Sequence, residues 1–206
     1  MIDETVSEAF VGHMREAIRK FFGADPKASP DYPRLINERH FDRVCGLMKG
    51  GTVAVGGESD RAAKYIAPTV LTGVAPDAEV MREEIFGPVL PVMTYRSLDG
   101  AIGFVTSRPK PLALYVFAKS TDIQSEVIAR TSSGGACIND VVMHLAVPDL
   151  PFGGVGASGM GAYHGRASFD TFSHARAVLT KSEHLDAPLR YPPFSDTKLR
   201  WLKRLQ

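Results

Sequence analysis

The glycine-rich run at residues 154–159 is the first segment whose residue types and spacing point to chemistry. Its order, Gly-Val-Gly-Ala-Ser-Gly, fits the Gly-X-Gly-X-X-Gly pattern of a dinucleotide-binding turn. Such a turn follows a buried strand and opens a helix, so that the pyrophosphate meets the helix N-terminus. Here Pro148 and Pro151 precede the run, and prolines do not fit a central parallel strand. Asp170 also follows too soon to be the ribose-binding acid, so we interpret the run as a loop whose backbone comes close to another group.

A second candidate is the acidic pair Glu83 and Glu84, followed by Phe86, between a short helical stretch and a predicted strand. By residue type alone, a solvated pair of acids, a core phenylalanine and a Gly87-Pro88 turn account for this segment. The alternative is that the acids hold a ligand.

The histidines and cysteines give weaker signals. The six histidines contain neither an HExxH motif nor a pair four residues apart, so a metal site is not expected. His164, which follows the glycine run, has a functional alternative to a hydrogen-bonded surface role. Cys137 comes just after a Ser-Ser-Gly-Gly loop, which suggests a nucleophile, but it lies in an apolar run with no base or cation beside it in sequence. We therefore interpret Cys137 as structurally buried.

Composition limits the class of protein. With 206 residues, 44% hydrophobic and 23% charged, the chain suffices for one ordinary domain or two small ones and is not expected to be disordered. The net charge of +1 gives no global case for binding nucleic acid or acidic lipid. Cys45 and Cys137 are too far apart for a CxxC motif, which favours a reduced, cytoplasmic protein. Neither a signal peptide nor a membrane span is recognisable, so we expect a soluble, untargeted chain.

The apolar spacing predicts the elements that position these candidates. Apolar residues four apart predict a first helix with Asp3 as its N-cap and Gly23 at its end. Asn37 is predicted to cap a second helix, whose apolar stripe turns Cys45 toward a core. Strands and helices then alternate, which predicts an α/β fold with parallel βαβ units and right-handed crossovers. The predicted strands are residues 52–55, 65–74, 89–95, 112–118, 136–139 and, late in the chain, 175–181; the predicted helices between them are 97–106 and 122–132.

A basic segment follows near the end of the sequence. Leu199, Leu202 and Leu205 share one face of a helix predicted over residues 195–205, with lysines and arginines around them. We expect this helix to dock on the protein body rather than on a membrane surface, because a single short basic helix binds lipid only marginally.

Several segments, taken together and in order, resemble the aldehyde dehydrogenase superfamily. The motifs Asn-Asp-Val-Val-Met-His and Gly-Met-Gly-Ala-Tyr-His-Gly resemble its class 3 branch, to which bacterial coniferyl aldehyde dehydrogenases belong. The resemblance runs from about residue 3 to residue 193 and covers the C-terminal part of such an enzyme. The segments that carry it are residues 83–89, 112–117, 139–144, 150–156 and 158–165.

The resemblance implies a function and site residues. In this family a cysteine thiolate attacks the aldehyde, hydride passes to NAD or NADP, and a glutamate activates the water that releases the carboxylic acid. By resemblance, Glu84 binds the nicotinamide ribose hydroxyls and Phe86 packs near the nicotinamide. Phe152, Tyr163 and His164 would line a pocket compatible with aromatic or medium-chain aldehydes.

The same resemblance implies that the chain has no catalytic residue of its own. The family's nucleophilic cysteine, general-base glutamate, oxyanion asparagine and Rossmann domain lie upstream of Met1, and Cys45 and Cys137 lack the nucleophile's context. Residues 1–170 would form part of a catalytic domain, and 171–206 a strand and tail for homodimerisation. Two alternatives are a non-catalytic assembly module and a free-standing dinucleotide-binding domain built on the glycine run. No metal, nucleic acid or membrane partner is expected.

Overall fold

Local capping signals fix where the helices begin in the computed structural model, which describes residues 1–184 and 186–204. Asp3 Oδ1 accepts a hydrogen bond from the Thr5 N–H at 2.9 Å and opens a 3₁₀ turn that leads into the first helix, close to the predicted start. Asn37 Oδ1 accepts from the His40 N–H at 2.8 Å, as predicted for the second helix. The helices are α1 (Ser7–Phe22), α2 (Glu38–Leu47), α3 (Leu98–Thr106), α4 (Thr121–Arg130), α5 (Gly165–Thr171) and α6 (Asp196–Arg204).

The strands form small sheets of two or three strands. They are β1 (Ile2–Asp3), β2 (Thr52–Val55), β3 (Ser59–Asp60), β4 (Tyr65–Ile66), β5 (Thr69–Thr72), β6 (Val89–Pro91), β7 (Thr94–Tyr95), β8 (Ala113–Val116) and β9 (Gly135–Ile138). In the largest described sheet, β5 lies between antiparallel β2 and parallel β6. Parallel β8 and β9, joined by α4, form a βαβ unit as predicted. The architecture is therefore mixed α/β.

Two predicted strands are each divided in the structure. The predicted strand 65–74 breaks at Pro68, which has no N–H for a ladder, and its halves β4 and β5 join different sheets. The predicted strand 89–95 divides between β6, which pairs with β5, and β7, which pairs with β1. The prediction of successive βαβ units over residues 89–139 is thus wrong in its first half, because β7 takes β1 rather than β8 as its neighbour.

The main core lies where α2 covers the β2-β5-β6 sheet. Val44, Ile66 and Leu71 have no exposed surface, and burial of such side chains is the main favourable term in folding. Cys45 packs against this core, as its position on the helix predicts, and burial raises the pKa of its thiol.

The late strand predicted at residues 175–181 is not among the strands of the described chain, and its pairing with a second copy stays a prediction. No backbone hydrogen bond joins these residues to another described segment, and Val178 and Leu179 are 72% and 93% exposed. A strand needs a neighbouring backbone to pair with, and the described residues supply none at this position.

The predicted basic helix forms as α6. Leu199 and Leu202 are about half exposed, and the helix packs against the 3₁₀ turn Pro188–Arg190. Leu205 lies outside the described residues. Docking of α6 on the protein body stays a prediction. Among the described helices, none is long and apolar enough to cross a membrane.

Candidate functional site

The carboxyl ends of β8 and β9 are fastened together by Asn139, the residue that follows β9. Its N–H donates to the Val116 carbonyl at 2.8 Å, and its Oδ1 accepts from the Ala118 N–H at 2.9 Å. Gln124 of α4 donates to the Ala118 carbonyl at 2.7 Å. Asn139 adopts a φ of 57°, a left-handed conformation that asparagine tolerates better than most residues. This arrangement directs the following chain across the end of the two strands.

The segment after Asn139 turns a histidine back toward β9. Val142 has a φ of 66°, which is strained for a β-branched residue, and the 3₁₀ turn Met143–Leu145 follows. The imidazole of His144 then packs against Gly135, where a Cβ would lie 2.7 Å from His144 Cδ2. Gly135 therefore leaves the room that this imidazole occupies.

Five rings meet beside strands β8 and β9, and we call them the aromatic cluster: Tyr115, His144, Phe152, Tyr163 and His164. Phe152 lies at the centre, with ring centroids 6.0 Å from His144, 5.7 Å from Tyr163 and 6.0 Å from His164. The backbones of Phe152 and Tyr163 exchange hydrogen bonds of 2.9 and 3.0 Å. The structure thus brings together the three residues predicted to line the pocket and adds Tyr115 and His144.

The glycine run folds as a tight loop that presents these rings. A Cβ on Gly153 would lie 2.1 Å from the Gly161 carbonyl oxygen, and one on Gly154 would lie 2.1 Å from that of Ser158. The run contains the 3₁₀ turn Gly156–Ser158, not the entry to a long helix. It is therefore a close-packed backbone loop, as the sequence predicts, and it lacks the strand–turn–helix form of a dinucleotide-binding turn.

The cluster contains buried polar atoms without partners. In residues 1–184 and 186–204, both ring nitrogens of His144 and Nδ1 of His164 are buried and make no hydrogen bond. His164 also has a φ of 81°, with its N–H donating to Ser168 Oγ at 2.7 Å. Unpaired buried polar atoms and strained backbone both cost stability, and both are typical of binding sites.

Glu84 and Phe86 lie on a separate segment, the acidic loop (residues 83–88), which is held by α2. Arg43 Nη2 donates to the Ile85 carbonyl at 2.5 Å and to that of Glu84 at 3.4 Å. His40 Nε2 lies 2.6 Å from the Phe86 carbonyl oxygen. Phe86 is 74% exposed with a φ of 49°, so the default interpretation of this residue as core is wrong. A cavity of about 400 Å³ lies between Phe86, His40 and residues 34–37.

The other candidate features are Cys137, a metal site and the cavity beside α1. Cys137 is half-buried on β9, where it is paired with Tyr115. No group of three histidine, cysteine or acidic side chains in the described chain could hold a metal ion. A cavity of about 690 Å³ between α1 and β2 contains none of the predicted site residues.

The profile of the aldehyde dehydrogenase family matches residues 1–178, and the chain belongs to this family. Its relatives are of class 3, as the sequence motifs indicate. The chain is 51% identical over 205 residues to mouse (Mus musculus) aldehyde dehydrogenase family 3 member A2, covering 98% of this chain and 42% of that protein. It is 52% identical over 196 residues to the Bos taurus dimeric NADP-preferring aldehyde dehydrogenase, covering 93% of this chain and 81% of that sequence.

A solved structure gives the same result for the fold. The substrate-bound state of Staphylococcus aureus AldH superposes with a TM-score of 0.87 and 44% identity, covering 100% of this chain and 45% of that one. The chain thus spans less than half the length of the mouse relative and of this bacterial protein. The membership of the aldehyde dehydrogenase family and of its class 3 branch is confirmed.

Proposed function

We propose that this chain contributes one wall of the aldehyde pocket and the nicotinamide-ribose loop to an NAD(P)-dependent aldehyde dehydrogenase that forms carboxylic acids. The observation that carries the proposal is the aromatic cluster, in which Phe152, Tyr163 and His164 meet although the glycine loop separates Phe152 from the other two. Strained backbone and unpartnered imidazole nitrogens at the same place support a binding role.

The acidic loop fits a nicotinamide riboside. Glu84 is an exposed carboxylate that can accept from two vicinal ribose hydroxyls, and the exposed ring of Phe86 can pack on an aromatic base and exclude water from it. The bound cofactor would supply the hydride acceptor. The backbone carbonyls of the loop are turned to α2, which leaves the side chains of Glu84 and Phe86 free to face a ligand. Either NAD or NADP is compatible, and the bovine relative is named NADP-preferring.

The aromatic cluster favours aromatic or medium-chain aldehydes as substrates. The ring of Phe152 offers a face for stacking, and the half-exposed Tyr163 adds a hydroxyl at the edge. Coniferyl aldehyde combines an aromatic ring with polar substituents and fits this description. A difference of one methylene in the aldehyde would change discrimination by only about 1–3 kcal/mol, so selection by ring shape is expected to dominate.

The chain by itself is proposed to be inactive. We place the nucleophile, the general base and the Rossmann domain outside these 206 residues, and we assign no catalytic residue within them. Residues 1–170 would belong to the catalytic domain, so the boundary falls just before Thr171, the last residue of α5. The two unpaired cysteines support a cytoplasmic location.

A second role, subunit pairing, is favoured by the segment 175–181. Val178 and Leu179 are exposed in a segment without a described backbone partner, and the addition of a strand from a second copy would cover them. The bovine relative is named dimeric. We therefore propose that residues 171–206 carry the homodimer contact.

The test uses the protein expressed with whatever sequence precedes Met1 in its own reading frame. Glu84→Gln should raise the KM for NAD(P) about tenfold, because a charge-assisted pair of hydrogen bonds is weakened. Glu83→Gln, a change of the neighbouring exposed acid, is the matched control and should leave this KM unchanged. Phe152→Ala should raise the KM for benzaldehyde more than that for hexanal. Equal effects of the two glutamate variants would refute the assignment of Glu84.

A further inference from the structure

One face of helix α2 holds three consecutive carbonyl groups of the acidic loop. His40 and Arg43 lie one helical turn apart and therefore project on the same side. Between them they bind the carbonyls of residues 84, 85 and 86, which are more than forty positions away in sequence. A carbonyl oxygen can only accept, so His40 Nε2 carries the proton in this contact.

The loop needs such support because its backbone is strained. Phe86 adopts a φ of 49°, which costs free energy for a residue with a Cβ, and its ring lies largely in solvent, so it gains little from burial. Without its contacts to α2 the loop would relax to an extended form, and the Phe86 ring would change direction.

Helix α2 is a rigid support. Its Val44 is fully buried in the main core, and a Cβ on Gly87 would lie only 2.9 Å from Val44 Cγ1, so the loop rests directly on the helix. Asn37 caps the same helix at the N–H of His40. The loop is therefore tied to the core through α2 as well as through the residues near its two ends, Val80 and Val89, which lie in the same core.

We infer that His40 and Arg43 are positioning residues, which fix the acidic loop so that the Glu84 carboxylate and the Phe86 ring are presented together to the cofactor. That the loop binds the cofactor rests on the proposed function. That His40 and Arg43 hold the loop in place does not depend on it. Neither side chain is required to touch the cofactor, because their hydrogen bonds go to the loop backbone. Loss of either contact lowers the fraction of molecules with a binding-competent loop, and the apparent affinity for the cofactor falls in proportion to that fraction.

The first experiment measures the loop without any cofactor. A glutamate-specific protease cleaves after Glu83 and Glu84, and mass spectrometry of the fragments compares the cleavage rate at these two bonds in the wild type, His40→Leu and Arg43→Met. Both variants should be cleaved about fivefold to tenfold faster there, because loss of one hydrogen bond to a loop carbonyl favours local opening of the loop. Arg39→Gln, at an exposed position of the same helix, is the control and should be cleaved at the wild-type rate. Unchanged cleavage in both variants would overturn the inference.

The second experiment measures the consequence for the cofactor in the protein from its own reading frame. His40→Leu and Arg43→Met should raise the KM for NAD(P) about fivefold, with the KM for the aldehyde unchanged. His40→Gln and Arg43→Lys keep a donor and should recover most of the affinity, which separates positioning from loss of folding. No recovery together with an unchanged thermal midpoint would overturn the inference, and direct binding of a phosphate by Arg43 would then account for its effect.

The two experiments separate the two proposals. A wild-type protein that turns over aldehydes without dependence on Glu84 overturns the proposed cofactor role of the loop. Faster cleavage confined to residues 83–88 in the His40 and Arg43 variants supports the positioning role even in that case.

Discussion

Replacing Gly87 with alanine tests whether the acidic loop rests on helix α2. The φ of Gly87 lies outside the left-handed region, so the backbone accepts alanine. The added Cβ would lie 2.9 Å from Cγ1 and 3.0 Å from Cγ2 of Val44, whose side chain has no exposed surface. Because a packed core side chain cannot move aside cheaply, the variant should lose about 1–3 kcal/mol of the free energy of unfolding.

A double-mutant cycle with Val44→Ala tests whether the destabilisation comes from contact with Val44. Val44→Ala alone should cost about 2–3 kcal/mol through lost burial and a cavity. That cavity is where the new methyl group would lie, so the double variant should be about 1–2 kcal/mol more stable than the sum of the single effects predicts. Urea unfolding followed by circular dichroism measures all four free energies.

Gly12 offers a matched control for Gly87→Ala. Gly12→Ala makes the same chemical change inside α1, where nothing lies within 4 Å of the added Cβ, and should stabilise by about 0.5–1 kcal/mol. If the effects of Gly87→Ala and Val44→Ala simply add, the loop does not rest on Val44, and the support argued for the acidic loop is refuted.

Three further predictions concern other parts of the chain. Asn37→Ala removes the cap of α2 and should cost about 1 kcal/mol in urea unfolding, whereas Asn37→Ser should cost much less. Arg61 donates a hydrogen bond to Asp42 and lowers the pKa of that carboxyl, so the pair contributes fully to stability at neutral pH and the contribution is lost as pH falls below the ordinary value of 3.8. The free energy of unfolding should therefore fall less steeply below that pH in Arg61→Gln than in the wild type. The same acid dependence in both proteins would show that the pair does not form. Val178→Pro removes a backbone donor from segment 175–181 and should convert a dimer to a monomer in size-exclusion chromatography, and an unchanged dimer would contradict a pairing role.

The features predictable from sequence are those set by neighbouring residues. The start of α2 follows from Asn37, because a cap bonds within three residues of itself. The βαβ unit β8-α4-β9 follows from the alternation of apolar runs and from the short connections between them. The motifs that carry the family resemblance also place Phe152, Tyr163 and His164, which the structure brings into contact.

What sequence could not predict depends on distant pairing and on backbone conformation. The pairing of β7 with β1 joins opposite ends of a long stretch of chain, and apolar spacing contains no information about which neighbour a strand takes. Residue type predicts that Phe86 is buried, whereas a positive φ and the hold of His40 on its carbonyl turn the ring outward. His144 has one usable signal in the sequence: it lies five residues after Asn139, the residue that follows β9, in a motif of the family.

Turnover by the isolated 206-residue chain tests the central claim most directly. If the chain supplies a cofactor loop and a pocket wall but no nucleophile, it should show no NAD(P)-dependent oxidation of benzaldehyde, coniferyl aldehyde or hexanal, with or without Cys137→Ser. Formation of reduced cofactor by the wild-type chain, abolished in Cys137→Ser, would contradict the account, because it would make the half-buried thiol on β9 a nucleophile.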